Sequence, residues 1–220
     1  MNKRDADTDR ALVLIVDDDE PVRLAIQELL QSVGLDTACF GSTQELLESA
    51  LYERPGCLVL DVRLPGLSGL DFQRHLNSSG KTKPIIFLTG HADVPMTVQA
   101  MKAGAVEFLT KPFDDEVLLT AIRHAIQRSA AVLDDQAEVM ALRSSYESLT
   151  PREQDVMRLV VAGMWNKQIG LKLGISEITV KAHRGKMMQK MKADSVADLV
   201  KAAVRLRLAP AKNPWHTTDS

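Results

Sequence analysis

The sequence predicts an α/β doubly wound, parallel five-stranded sheet followed by a small all-α helix-turn-helix domain. Two patterns lead there and a third agrees. Over residues 11–128, short apolar runs closed by polar or turn residues alternate about five times with helical patterns, as in a parallel sheet covered by crossover helices. Over residues 149–208 the periodicity is helical throughout, with a tight Gly-containing turn between two segments. The charge divides the same way. Asp plus Glu against Lys plus Arg stands at 19 to 13 for residues 1–129, 4 to 1 for 130–148 and 6 to 13 for 149–220. An acidic front and a basic end suit a regulatory domain joined to a nucleic-acid-binding module, although solvated charged faces give similar counts.

In chain order, residues 1–10 are polar and are expected to form a disordered start. Val13-Leu14-Ile15-Val16 is a buried strand ending in Asp17, Asp18 and Asp19. Val22, Ala25, Ile26, Leu29 and Leu30 give 20–33 helical spacing, and Gly34 terminates it. A weaker strand at 36–40 precedes a helix near 43–49. Cys57-Leu58-Val59-Leu60 is too short for a helix, is closed by Pro65-Gly66, and presents Asp61 at its carboxyl end. A helix follows from near Ser68 to before Gly80. Pro84 then opens the strand Ile85–Thr89, a helix spans 94–103 up to Gly104, and 106–109 leads into Thr110-Lys111-Pro112. Neither Gly nor Pro occurs from Phe113 to Leu149, so the next helix can run well beyond the sheet domain. Ile126, Ala130, Leu133, Ala137 and Met140 alternate spacings of four and three, as in a coiled-coil seam. Packing of the early part on its own domain, or a flexible acidic linker over 129–148, fits the same residues.

Parallel strands bring their carboxyl ends to one edge, so Asp17, Asp18, Asp61, Thr89 and Lys111 converge. A lone Asp at a strand end is usually a turn-former; the company it keeps singles out Asp61. Clustered carboxylates repel, so either their pKa values rise or a divalent cation neutralises them, and hard oxygen ligands point to Mg2+. A carboxylate nucleophile beside such a cation, a Lys and a Thr hydroxyl is suited to accepting a phosphoryl group as an aspartyl phosphate. Val16-Asp17-Asp18-Asp19, Leu60-Asp61, Leu88-Thr89-Gly90 and Lys111-Pro112, in that order, resemble the receiver domains of two-component response regulators, the CheY-like fold, over 11–128. The resemblance implies Asp61 as phosphoacceptor and Mg2+ held by Asp17, Asp18, Asp61 and the carbonyl of Arg63. It further implies Thr89 as the switch hydroxyl, Lys111 as the phosphate-binding Lys before a cis Pro112, and Phe108 as the aromatic that moves with Thr89. The implied partner is a sensor histidine kinase, and the implied chemistry is self-phosphorylation from a donor with slow autodephosphorylation, so the chain is not expected to be an enzyme. A phosphohydrolase is the enzymatic alternative, but Asp61 lacks the second acid two residues on that haloacid-dehalogenase-type phosphatases carry.

In the second domain Thr150 and Glu153 form a capping box with Pro151 at the first helical position, and the helix stops at Gly163. A short helix at 166–173, the turn Gly174-Ile175, and a helix capped by Ser176 reaching about residue 191 complete a helix-turn-helix pattern that a generic three-helix bundle shares. Leu149-Thr150-Pro151-Arg152-Glu153, Asn166-Lys167-Gln168-Ile169 and Ile175–His183 resemble the LuxR/NarL-type DNA-binding domain over 149–208. Together with Gly90-His91-Ala92-Asp93-Val94-Pro95 the chain resembles FixJ-type regulators. With Val180, Met187 and Met191 on the buried stripe, Ile178, Lys181, Ala182, Gly185 and Gln189 face the groove of double-stranded DNA, and Lys167, Thr179, Arg184 and Lys186 lie on the flanks for phosphate contacts. Gly185 is expected to permit close approach of helix to DNA. His183 is expected to pack within the domain. The family uses a last helix such as 195–208 for dimerisation; packing on its own domain is the alternative. A tail follows over 209–220, in which Trp215 has no assigned role.

Among 220 residues, 45% hydrophobic and 25% charged is ordinary for globular protein. Cys39 and Cys57 have no metal spacing and read as thiols of a reducing cytosol, and none of the five histidines has ligand spacing. No apolar run approaches the ~18 residues that span a bilayer, and the polar start is no signal peptide. The expectation is a cytoplasmic transcriptional regulator without a membrane role. Phosphorylation of Asp61 promotes its homodimerisation and DNA binding, with a carboxyl-terminal bundle that binds protein as the alternative.

Overall fold

The computed structural model describes residues 10–80 and 82–208; the expected disordered start (bar Arg10) and tail lie outside them. The chain divides into two compact units between Leu133 and Asp134.

The first unit contains β1 (Leu12–Val16), α1 (Glu20–Ser32), β2 (Asp36–Phe40), α2 (Thr43–Glu48), β3 (Gly56–Asp61), α3 (Gly69–Ser78), β4 (Ile85–Thr89), α4 (Val94–Lys102), β5 (Glu107–Thr110) and the start of α5 (Asp115–Glu147). The five strands are all parallel, in the order β2-β1-β3-β4-β5. Alternation along the strands makes two cores. Leu14, Val16, Leu58, Leu60 and Phe87 face Leu46, Phe72, Leu76 and Ala100, whereas Val13, Ile15, Val59, Ile86 and Leu88 face Ile26, Leu30, Leu118 and Ile122. Register then places the chemistry. Val16 pairs with Leu60, Asp61 with Leu88 and Thr89 with Thr110, so Asp17, Asp61, Thr89 and Lys111 leave neighbouring strands at one edge.

A 3-10 turn at Ala50–Glu53 is an element the sequence pattern does not announce. Over 129–148, where a linker is expected, the chain is helical to Glu147. Ser129 accepts a bond from the Gly56 N–H and so belongs with the sheet, while Leu142 and Tyr146 pack against the core of the second unit. Ala130, Leu133, Ala137 and Met140 of the coiled-coil seam are exposed in the single chain.

The second unit adds α6 (Pro151–Val161), α7 (Asn166–Leu173), α8 (Glu177–Lys190) and α9 (Val196–Arg205). Its core includes Val156, Ile169, Val180, Met187 and Leu199, all fully buried. Thr150, Ser176 and Ser195 cap α6, α8 and α9 through their side chains. The last helix is shorter than expected because the backbone turns left-handed at Arg207, where the Leu208 N–H bonds back to the Ala203 carbonyl.

Candidate functional site

At the carboxyl edge of the sheet the Lys111 ammonium donates to Asp17 Oδ2 at 2.5 Å and to Asp61 Oδ2 at 2.7 Å. Both carboxylates are buried. Their second oxygens are also engaged: Asp17 Oδ1 accepts from the Asp19 N–H at 3.0 Å, and Asp61 Oδ1 from the Arg63 N–H at 2.8 Å. Burial holds the Asp17 carboxyl above its ordinary range despite Lys111. Burial alone would pull Lys111 down, but its bonds to the two carboxylates outweigh that and raise it. Asp17, Asp18 and Asp61 each offer an oxygen, all within 4.8 Å of one another, with Asp18 exposed. Three hard anionic donors, one open to solvent, fit Mg2+. Arg63 contributes its N–H to this arrangement.

The helix that follows Asp61 fits because of Gly69. Its N–H donates to the Val62 carbonyl, and a Cβ there would lie 2.4 Å from the Asp61 carbonyl oxygen, closer than any side chain tolerates. Thr89 is wholly buried, and its hydroxyl exchanges bonds of 3.2 Å with the backbone N–H and carbonyl of His91. Phe108 is half-buried against Phe87, with ring centroids 6.0 Å apart. Lys111-Pro112 is cis. Arg23 is a participant that sequence reasoning missed: its guanidinium donates to the Asp17 carbonyl at 2.5 Å. Gly69 left a signal, a glycine at the first position of a helix where most residues do better; Arg23 left none.

In the second unit α8 presents Ile178, 80% exposed, together with Lys181, Ala182, Gly185 and Gln189, while Val180, Met187 and Met191 are buried. Nothing lies within 4 Å of a Cβ built on Gly185. Lys167, Thr179 and Lys186 are exposed and His183 half-buried. Two placements differ from simple expectation. Lys181 pairs with Glu177 at 3.3 Å, one helical turn back, and the Thr179 hydroxyl pairs with Ser176 Oγ at 2.8 Å, within the helix cap. Two further ties were not foreseen. The Arg184 guanidinium donates to Asn166 Oδ1 at 3.0 Å. Buried Glu153 accepts from Lys190 at 2.7 Å and from the Thr150 N–H at 2.9 Å, which lowers its pKa and locks α8 to the start of α6.

Residues 13–123 match the family model of the response regulator receiver domain, and residues 147–203 that of bacterial regulatory proteins, luxR family. Nodulation protein W of Bradyrhizobium diazoefficiens is 50% identical over 200 residues, 91% of this chain and 88% of that protein. The transcriptional regulatory protein FixJ of Azorhizobium caulinodans is 40% identical over 205 residues, 93% and 97% of the two chains. The solved structure of the response regulator StyR superposes with a TM-score of 0.79 at 44% identity, over 89% of this chain and 99% of that one. A carboxylate pair clamped by a Lys at a parallel-sheet edge lies within the first matched region and a helix-turn-helix within the second, so the chain belongs to the FixJ-type response regulators, two-component transcriptional regulators that act in a phosphorylation-dependent way.

Proposed function

We propose that Asp61 is the phosphoacceptor. The observation that carries this is the Lys111 ammonium shared between Asp61 Oδ2 and Asp17 Oδ2, which keeps a cation beside the buried Asp61 carboxylate, in reach of the oxygens of an incoming phosphoryl group. An Asp61 oxygen attacks phosphorus of the kinase phosphohistidine or of an acyl phosphate, the bond from phosphorus to the donor breaks, and the donor leaves with that electron pair. Asp17, Asp18, Asp61 and the Arg63 carbonyl would hold Mg2+, which would supply charge neutralisation for the transferred group. Lys111 then turns from the carboxylates to the phosphoryl oxygens, and the Thr89 hydroxyl exchanges His91 for the same group. Phe108, packed on Phe87, follows Thr89. One phosphoryl group is taken and slowly lost by hydrolysis, so the chain acts stoichiometrically rather than as an enzyme.

The exposed stripe Val94, Val98 and Met101 on α4, beside β5, is the surface on which two phosphorylated receivers pair. A dimer presents two copies of α8 to two half-sites in double-stranded DNA, where bivalency raises affinity. Lys181, Ile178, Ala182 and Gly185 read base edges, and Lys167, Thr179, Arg184 and Lys186 set register on phosphates. The chain works in the cytoplasm beside its sensor histidine kinase and its operator; among the described residues no helix is long and apolar enough to cross a membrane. The test is intact mass after incubation with acetyl phosphate. One phosphoryl adduct is expected on wild type with MgCl2 and on neither wild type without it nor Asp61→Asn; an adduct on Asp61→Asn would refute the assignment.

A further inference from the structure

Trp165 is 78% exposed although among the described residues of its unit it is the largest side chain. It occupies the N-cap of α7, where its N–H donates to the Gln168 side chain at 2.9 Å but its own side chain makes no capping bond, whereas Thr150, Ser176 and Ser195 cap α6, α8 and α9 through theirs. A residue that breaks a local rule without a folding gain points to function. The indole borders a cleft of about 250 Å³ whose lining includes Met164, Asn166, Arg184 and Val196. Arg184 lies on the DNA-reading helix, one residue from Gly185, and Asn166 holds its guanidinium through one donor at 3.0 Å, leaving further donors of a five-donor group. Among the described residues Arg184 and the neighbouring, exposed Lys167 have no carboxylate partner. A flat apolar ring therefore shares a cleft with one cation that no carboxylate pairs, Arg184, and stands two positions from a second, Lys167, at the flank of the surface assigned to DNA.

We infer that Trp165 is a DNA-docking residue: its indole packs on a deoxyribose of the strand bordering the major groove, while Arg184 and Lys167 take the adjoining phosphates. This rests on the DNA-binding reading above. The ring suits a sugar face, which is apolar and equally present at every base, and the flanking cations suit its phosphates. The contact adds affinity and register but no sequence preference.

The probe is a fluorescein-labelled duplex of random sequence, bound by the full acetyl-phosphate-treated chain and followed by anisotropy. The chain has two tryptophans, so Trp215→Phe leaves Trp165 as the lone indole. Its emission is expected to change on DNA addition with the midpoint that anisotropy gives. Trp165→Ala is expected to weaken binding on the order of tenfold for any sequence with an unchanged salt slope, whereas Arg184→Ala lowers that slope by about one. Trp165→Phe should recover much of the loss. Binding by anisotropy with unaltered Trp165 emission, or an emission change that tracks protein concentration without DNA and so marks a second copy as the occupant, would overturn the inference. Failure of the wild-type chain to retain the duplex even at low salt would refute the DNA reading itself, and the inference with it.

Discussion

Replacing Lys111 with Met removes the one cation among the described residues bonded to both Asp17 and Asp61 while keeping most of the length of the side chain. Two charge-assisted hydrogen bonds disappear, each worth about 1.5–3 kcal/mol. The two carboxylates, with oxygens within 4.8 Å, then repel by about 3.5 kcal/mol at an effective dielectric constant near 20. Asp17, already raised by burial, relieves part of this by taking a proton, so the expected net loss is about 3 kcal/mol at pH 7. That corresponds to a fall of roughly 10 °C in the receiver transition. Saturating MgCl2 neutralises the same carboxylates, and because the variant no longer has an internal cation it should gain about 2 kcal/mol more from the metal than wild type does. Scanning calorimetry of the full chain in EDTA and in MgCl2 makes the comparison. A loss below about 1 kcal/mol in EDTA, or equal gains from MgCl2 in both chains, would show that Lys111 is not the counter-ion of the acid pair.

Other consequences can be checked alongside. Since Asp17 must ionise to hold a cation and its pKa lies above the ordinary 3.8, Mg2+ affinity should fall as the pH is lowered through that raised value, about tenfold per unit below it; calorimetric titration that finds affinity flat from pH 7 down to pH 4 would exclude this. Glu153 has the opposite sign: its folded pKa lies below the ordinary 4.5, so it contributes stability above that value which is lost as the pH falls through the lowered one. A double-mutant cycle on Glu153→Gln and Lys190→Met should give a coupling of about 1–3 kcal/mol in the melting of the second unit, and additivity within about 0.3 kcal/mol would deny the tie. Gly69→Ala should destabilise the receiver by about 1–3 kcal/mol, because the new methyl meets backbone. Gly185→Ala should stabilise by up to about 1 kcal/mol while weakening DNA retention; unharmed retention would remove the close-approach role.

Most of the receiver was legible because its strands are short apolar runs whose ends carry the chemistry. Once β1, β3, β4 and β5 are taken as parallel neighbours, Asp17, Asp61, Thr89 and Lys111 follow from register alone. The helices of the second unit were equally readable, since Thr150, Ser176 and Ser195 announce their starts. What escaped depends on pairs distant in sequence. Lys190 and Glu153 are 37 positions apart and Arg184 and Asn166 are 18, and no periodicity encodes such meetings. The turn at Ala50–Glu53 escaped because four residues are too few to show a period. Lys181 with Glu177 was available from spacing, as an acid one helical turn before a base, and the base reading proposed for Lys181 would compete with this intrahelical partner.

Gly185 sits on open helix surface with nothing for a side chain to strike, and exposed Ile178 and Ala182 share that face. Substitutions at these three positions therefore strike no packed neighbour and cost the fold little, and on the proposed reading they are judged chiefly when the operator is present. Such a surface can wander through sequence space at little risk, so a duplicated copy of this regulator can acquire new promoters while its receiver and scaffold stay as they are.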